Sequence, residues 1–206
     1  MPRIELQVPF DEKDAAKKHG ARWDPDKKLW YIPEGVNPKP LEEWIPNNPH
    51  VNIRAKSYYI AESVRNCWKC DQLTAVFGIA LPPGYESLIV KEAPKENYWA
   101  RLDKPTLIYY VDYIPESVQN RFGMLTKYYR WDYSHTIGGS YWMNHCEYCG
   151  MKQGDYDLYE EPQGAFDPIT PDEATQILLW HVHEPFAGSC GIDNEGIELF
   201  EFMQKK

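Results

Sequence analysis

Residues 57–82 read SYYIAESVRNCWKCDQLTAVFGIALP, with Cys67 and Cys70 at the centre. The flanks SYYIAESV and TAVFGIALP are rich in β-branched and aromatic residues and read as strands, so the cysteines occupy a tight turn between them. The same arrangement recurs at residues 140–155, SYWMNHCEYCGMKQGD, where Cys146 and Cys149 follow the strand-like SYWMNH and precede a second expected strand, DYDLYEEP. Two cysteines two residues apart in a turn converge on one ion, and two such knuckles complete a tetrahedral four-sulfur site. The residue after the second cysteine of a knuckle is expected to be left-handed, which suits Gly150 and is tolerable for Asp71.

Cys146 lies 76 positions after Cys70, whereas structural zinc sites commonly place their pairs about 15–20 residues apart. Loop entropy grows only logarithmically with length, so a long intervening stretch does not forbid one shared site. Neither pair opens a helix after a buried strand, as thioredoxin-like chemistry requires. The expectation is therefore one zinc ion per chain held by Cys67, Cys70, Cys146 and Cys149. Four sulfurs leave no open position for water, which makes the metal's role structural. Iron in the same geometry is the alternative, a rubredoxin-like electron carrier; CEYCG suits it as well as zinc, but CWKCD lacks the matching glycine.

The 206 residues carry 22 Lys and Arg against 31 Asp and Glu, a formal charge of −9, so nonspecific attraction to nucleic acid is disfavoured. Fifteen Tyr and eight Trp supply area for a substantial core. No stretch has the apolar length of a membrane span, and the first residues have no apolar signal core. A cytoplasmic location follows, where paired cysteines more often mean metal than disulfide.

The first 46 residues read as a unit of their own. IELQV alternates like a strand; a helix follows with Asp11 at its N-cap, Lys17 and Lys18 late, and Gly20 at its stop. ARWDPDKKLWYIP reads as two short strands about an Asp-Pro-Asp turn, and KPLEEWIP as a closing helical turn. The motifs Val8-Pro9-Phe10, Glu12-Lys13-Asp14, Gly20-Ala21-Arg22-Trp23-Asp24 and Lys28-Leu29-Trp30-Tyr31-Ile32-Pro33 resemble the domain-of-unknown-function family 5710. The resemblance implies a small accessory module attached to plasmid primase-like or other DNA-handling proteins, and it assigns no catalytic residue. The remainder resembles a bacterial protein type in which this module precedes a Cys-paired, zinc-ribbon-like domain. On the residues themselves, Phe10, Trp23, Trp30, Tyr31 and Trp44 are either a stacking platform for single-stranded bases, flanked by Arg22, Lys27 and Lys28, or the core of a very small domain. Residues 1–46 hold eight basic and nine acidic side chains, so a basic face there requires segregation of charge.

Other chemistry is thin. His181, His183 and Cys190 could form a second metal site, but TPDEATQILLWHVH reads as a helix opened by a capping box from Thr170 to Glu173, with Ile177, Leu178 and Trp180 packing. Two histidines one residue apart do not share a helical face. Asp132, Ser134 and His135 are close in sequence, which is not triad geometry. No phosphate-cradling loop, nucleophile elbow or HExxH helix is present.

The expected architecture is α+β: a small α+β module over 1–46, a linker at 47–51, and a larger mixed domain over 52–206. That domain is a zinc ribbon with an insertion at about 85–135 between its knuckles, containing the strand TLIYYVDYIP and a helix with Val118, Phe122 and Leu125 on one face. The expected function is a non-catalytic zinc-binding adaptor, its site supporting a surface for a protein or single-stranded nucleic acid in a DNA-handling context. The surface residues on the module are Arg22, Trp23, Lys27, Lys28, Trp30 and Tyr31. The alternatives are an enzyme or the iron carrier.

Overall fold

A computed structural model describes residues 4–6, 8, 10–25, 29–33, 35–37, 39–44, 51–92, 95–193 and 196–206. The chain divides into two compact units, Met1–Pro49 and His50–Lys206. Among the described residues strands hold 44% against 20% helix, so the fold is mostly β and the α+β expectation is corrected.

In the first unit, β1 (Ile4–Leu6), β2 (Arg22–Asp24) and β3 (Leu29–Ile32) form an antiparallel sheet in the order β1-β3-β2. The helix α1 (Lys13–Lys18) follows a short 3-10 turn, and its N-cap is Glu12 rather than Asp11. Gly20, at φ +97°, supplies the left-handed residue that turns the chain out of α1. A 3-10 turn spans Lys39–Trp44. Leu6, Ala16, Ala21, Trp30, Ile32, Leu41 and Trp44 form the core of this unit, and the indole N–H of Trp44 donates to Glu12.

The second unit is built on a sheet of nine strands among the described residues. It is made of β4 (Ile53–Ala55), β5 (Tyr58–Asn66), β6 (Leu73–Leu81), β7 (Tyr85–Glu92), β8 (Lys95–Leu102), β9 (Thr106–Tyr113), β13 (Leu178–Val182), β14 (Phe186–Ile192) and β15 (Gln204–Lys205). The strand order is β15-β13-β5-β6-β9-β14-β4-β7-β8; β15 pairs with β13 in parallel and the other pairs are antiparallel. A second sheet, in the order β10-β11-β12, contains β10 (Tyr129–Ser134), β11 (Gly139–His145) and β12 (Lys152–Gln153).

The centre of the large sheet is covered on both faces. Alternate residues Tyr58, Ile60, Phe77, Ile79, Leu81 and Ile108 enter one core with Val118, Phe122 and Tyr129, contributed by α2 (Glu116–Leu125) and β10. The intervening Ala61, Val76, Ala80, Leu107 and Leu179 enter the other, with Leu158, Phe166, Ala174, Ile177 and Phe200. Burial on both faces explains why TAVFGIAL is apolar throughout rather than alternating.

This topology replaces the expected ribbon with an insertion. Residues 85–135 are not an inserted subdomain: they supply β7, β8 and β9 to the main sheet, and α2 and β10 to its core. Within α2, Val118 and Phe122 are buried as expected, whereas Leu125 is exposed. DYDLYEEP forms a π-helical turn at Tyr156–Glu160 instead of a strand. The Thr170 cap is real, since Glu173 N donates to Thr170 Oγ1 at 3.3 Å, while the Glu173 carboxylate accepts from Ile169 N at 2.8 Å rather than from Thr170 N; the cap opens only one turn, α3 (Pro171–Ala174). The chain then extends into β13, placing Leu179 and Val182 in the two cores and leaving Trp180 exposed.

Candidate metal centre

Both knuckles are six-residue loops closing antiparallel strand ends. Asn66 pairs with Leu73 across the first, and His145 with Lys152 across the second. Their backbone hydrogen bonds correspond atom for atom. Cys67 N donates to Gln72 O (2.9 Å) and Asp71 N to Cys67 O (2.8 Å); Cys146 N donates to Met151 O (2.8 Å) and Gly150 N to Cys146 O (2.9 Å). Asp71 and Gly150 occupy the same place and are both left-handed, at φ 58° and 70°.

The four sulfurs converge. Cys67 Sγ lies 3.7 Å from Cys149 Sγ, Cys70 Sγ lies 3.6 Å from Cys146 Sγ, and all four are within 4.8 Å of one another. A tetrahedron of sulfurs at about 2.3 Å from a zinc ion has edges of about 3.8 Å, so the set has the dimensions of a four-thiolate metal site. None of these cysteines is in a disulfide. Cys67 and Cys146 are buried, Cys70 is half-buried and Cys149 is exposed.

The electrostatics suit a cation. Burial pushes the Cys67 thiol up, but the N–H groups of Cys70 and Lys69 and the adjoining sulfurs outweigh it and bring it down to about 6. Cys146 is lowered by the corresponding donors, the N–H groups of Cys149 and Tyr148, against its burial. Cys70 goes the other way: the N–H of Gln72 favours its thiolate, yet burial and the three neighbouring sulfurs together push it up to about 12. The backbone donors thus favour the thiolate at Cys67 and Cys146, and a positive ion among the four sulfurs would favour it at all of them. Gln153, fully buried, donates Nε2 to Cys67 Sγ at 3.3 Å and adds a side-chain hydrogen bond to the sulfur.

Several contacts lock the second knuckle to the first hairpin. Glu147 N donates to Thr74 Oγ1 (3.0 Å), Ala75 N donates to Glu147 Oε1 (3.3 Å), and Trp68 Nε1 donates to Lys152 O (2.8 Å). Behind the second knuckle, His145 Nε2 meets Asp132 Oδ2 at 2.9 Å, and Lys152 Nζ lies 3.0 Å from Asp132 Oδ1. His145 and Lys152 hold the Asp132 carboxyl well below the usual carboxylate range. Asp132 thus serves the back of this loop. It is not bonded to His135, whose ring packs edge-on against Tyr133 at 5.1 Å.

The other candidate residues separate into core and surface. In the first unit Trp30 is buried, Tyr31 half-buried, and Arg22 and Trp23 exposed. Lys27 and Lys28 lie outside the described residues, as do residues 47–50 of the expected linker. His181 and His183 share one face because they lie at the end of a strand rather than on a helix, with ring centroids 3.9 Å apart. They do not join Cys190, and the four knuckle cysteines are the one group of metal-holding dimensions found among the described residues. Burial, with the Asp112 carboxylate adding to it, raises the Cys190 thiol well above its ordinary range, which disfavours its thiolate.

Three structural residues escaped the sequence reading: Asn144, Gln153 and Asp155, all buried polar groups. Their signal was a cluster of polar residues, NH before Cys146 and KQGD after Gly150, beside a site that needs sulfur donors and strand ties.

Comparison with known proteins adds context for the first unit. Residues 3–46 match the family described as a domain of unknown function, DUF5710. A DNA primase TraC of Escherichia coli is 42% identical over 55 residues, which is 27% of this chain and 5% of the primase. A second DNA primase TraC of Escherichia coli is 46% identical over 39 residues, 19% of this chain and 3% of that protein. The chain thus spans a small fraction of the length of these curated relatives. No solved structure matches. Among the described residues no helix is long and apolar enough to cross a membrane.

Proposed function

We propose that this chain is a non-catalytic accessory protein in which Cys67, Cys70, Cys146 and Cys149 hold one zinc ion with a structural role. The convergence of two equivalent knuckles, with sulfur edges of 3.6 and 3.7 Å, carries the reading. Zinc bound by four thiolates supplies folding free energy and leaves no coordination position for a reacting water. The ion ties the β5–β6 hairpin to the β11–β12 hairpin, and so fixes the aromatic side chains that the knuckles expose, Trp68 and Tyr148. That surface is the recognition element for a partner protein.

The first unit gives the accessory its setting. Its likeness to part of a DNA primase supports a DNA-handling context, and its exposed Phe10 and Trp23 with Lys13, Lys17 and Arg22 supply rings and cations for single-stranded nucleic acid. The second unit, with 14 basic and 22 acidic residues in 47–206, contributes repulsion rather than affinity for a polyanion.

The test is thiol titration of the purified chain with a zinc indicator present. One zinc released per chain as its five thiols react, with simultaneous loss of near-ultraviolet circular dichroism, supports the structural site. Zinc leaving while the fold persists contradicts the structural role, and release of iron instead makes the chain an electron carrier.

A further inference from the structure

Away from the cysteines, a pocket of about 290 Å³ is lined by Asp112, Tyr113, Ile114, Gln119, Trp131 and Trp142. Small-molecule sites run from about 300 to 1,000 Å³, so this one has room for a headgroup or a single side chain, not a large cofactor.

Its walls come from four elements, β9, β10, β11 and α2. Trp131 of β10 and Trp142 of β11 are direct cross-strand partners, so their side chains leave the same face of the ribbon. Trp142 is backed by Tyr129, 5.9 Å away between ring centroids, and Tyr129 in turn packs at 4.5 Å on the fully buried Phe122. That wall is fixed by the core. Trp131, 49% exposed, is the opening side. The end of β9 contributes Asp112 and Tyr113, and α2 contributes Gln119, whose Nε2 donates to Ile114 O at 2.9 Å and is thereby held in place.

The chemistry of this lining selects the ligand. Three aromatic rings line it, and Asp112 is exposed and makes no ion pair among the described residues. A cation placed among indole faces is attracted by the ring quadrupoles, and a carboxylate at the rim adds to that attraction. A phosphate-bearing ligand meets the opposite: the carboxylate of Asp112, on a unit already negative.

We propose that Trp131, Trp142, Tyr113 and Asp112 form a binding site for an organic cation of the alkylammonium class. The cation is either a free small molecule or the end of a lysine side chain, methylated or not, on a partner protein. The site is independent of the metal centre and of the accessory reading.

The test titrates the full chain with choline and with its neutral isostere 3,3-dimethylbutan-1-ol, following tryptophan fluorescence and heat. Choline is expected to bind saturably and the isostere at least about tenfold more weakly. Trp131→Ala should lose most of the affinity with an unchanged far-ultraviolet spectrum, Trp131→Phe should recover part of it, and Asp112→Asn should weaken binding and reduce its salt dependence. A peptide carrying one trimethyllysine, run beside choline, separates the two sources: tighter peptide binding assigns the site to a partner's side chain, tighter choline binding to a free cation. Equal binding of choline and the isostere, or no saturable binding of any cation, overturns the proposal. Trp131-dependent binding of adenosine monophosphate without choline binding overturns it in favour of base stacking.

Discussion

Asn144 is paired to Phe77 through both atoms of its amide: Phe77 N donates to Asn144 Oδ1 and Asn144 Nδ2 donates to Phe77 O, each at 2.8 Å. The side chain completes the backbone hydrogen bonding of β6 from a strand of the other sheet, two residues before Cys146. It sets the distance between the two hairpins that carry the sulfurs. Asn144→Leu leaves a buried N–H and a buried carbonyl unpaired and is expected to cost about 2–4 kcal/mol. Urea denaturation of the metal-loaded protein measures this, and zinc affinity should fall with it.

The left-handed residues of the knuckles make an asymmetric pair. A Cβ added at Gly150 meets nothing within 4 Å, so any cost of substitution there comes from the φ of 70° alone. Gly150→Ala is expected to lower stability by about 1 kcal/mol, while Asp71→Gly should be neutral or slightly stabilising. Thermal melts of the two variants, side by side, check the sign of each.

Asp155 predicts a pH dependence. Burial is the main cause that pushes its carboxyl up to about 7; the Tyr110 N–H, donating to Oδ2 at 2.7 Å, works against burial, and Glu160 adds to it. In the unfolded chain an aspartate titrates near 3.9. A raised folded-state pKa makes its contribution to stability fully present below about pH 4 and lost as the pH rises to about 7, at a limiting slope of about 1.4 kcal/mol per unit. Asp155→Asn still accepts from Tyr110 N and should remove this slope from denaturation free energies measured between about pH 4 and 7.

For the first unit, full-chain binding to a labelled single-stranded oligonucleotide at low salt should be lost in Phe10→Ala/Trp23→Ala with the fold intact. Trp30→Ala should instead unfold this unit, since a buried tryptophan truncated to alanine costs about 3–5 kcal/mol. Anisotropy with the wild-type chain that stays flat at low salt removes nucleic acid as the ligand and leaves the protein-binding surface.

The knuckles were legible because their chemistry is local: residue type, spacing and the backbone conformation after the second cysteine are all written within six residues. Three of the four strands expected beside them were legible for the same reason, as were the short strands and the helix of the first unit; DYDLYEEP, a π-helical turn, was not. The nine-stranded sheet was not, because pairing of β14 with both β9 and β4, or of β13 with β5, depends on partners more than 70 residues away. ILLWHV illustrates the ambiguity: a short apolar run after a true Thr170 N-cap fits a helix or a buried strand equally, and tertiary pairing decides. Once it is a strand, His181 and His183 fall on one face.

The metal centre is tested most directly by X-ray absorption spectroscopy of the untagged chain at the zinc and iron edges. The expected result is about one zinc per chain with four sulfur scatterers at about 2.3 Å and no oxygen or nitrogen ligand, lost in Cys67→Ser/Cys146→Ser. A sample without zinc, or one whose zinc is bound through oxygen and nitrogen, would contradict it.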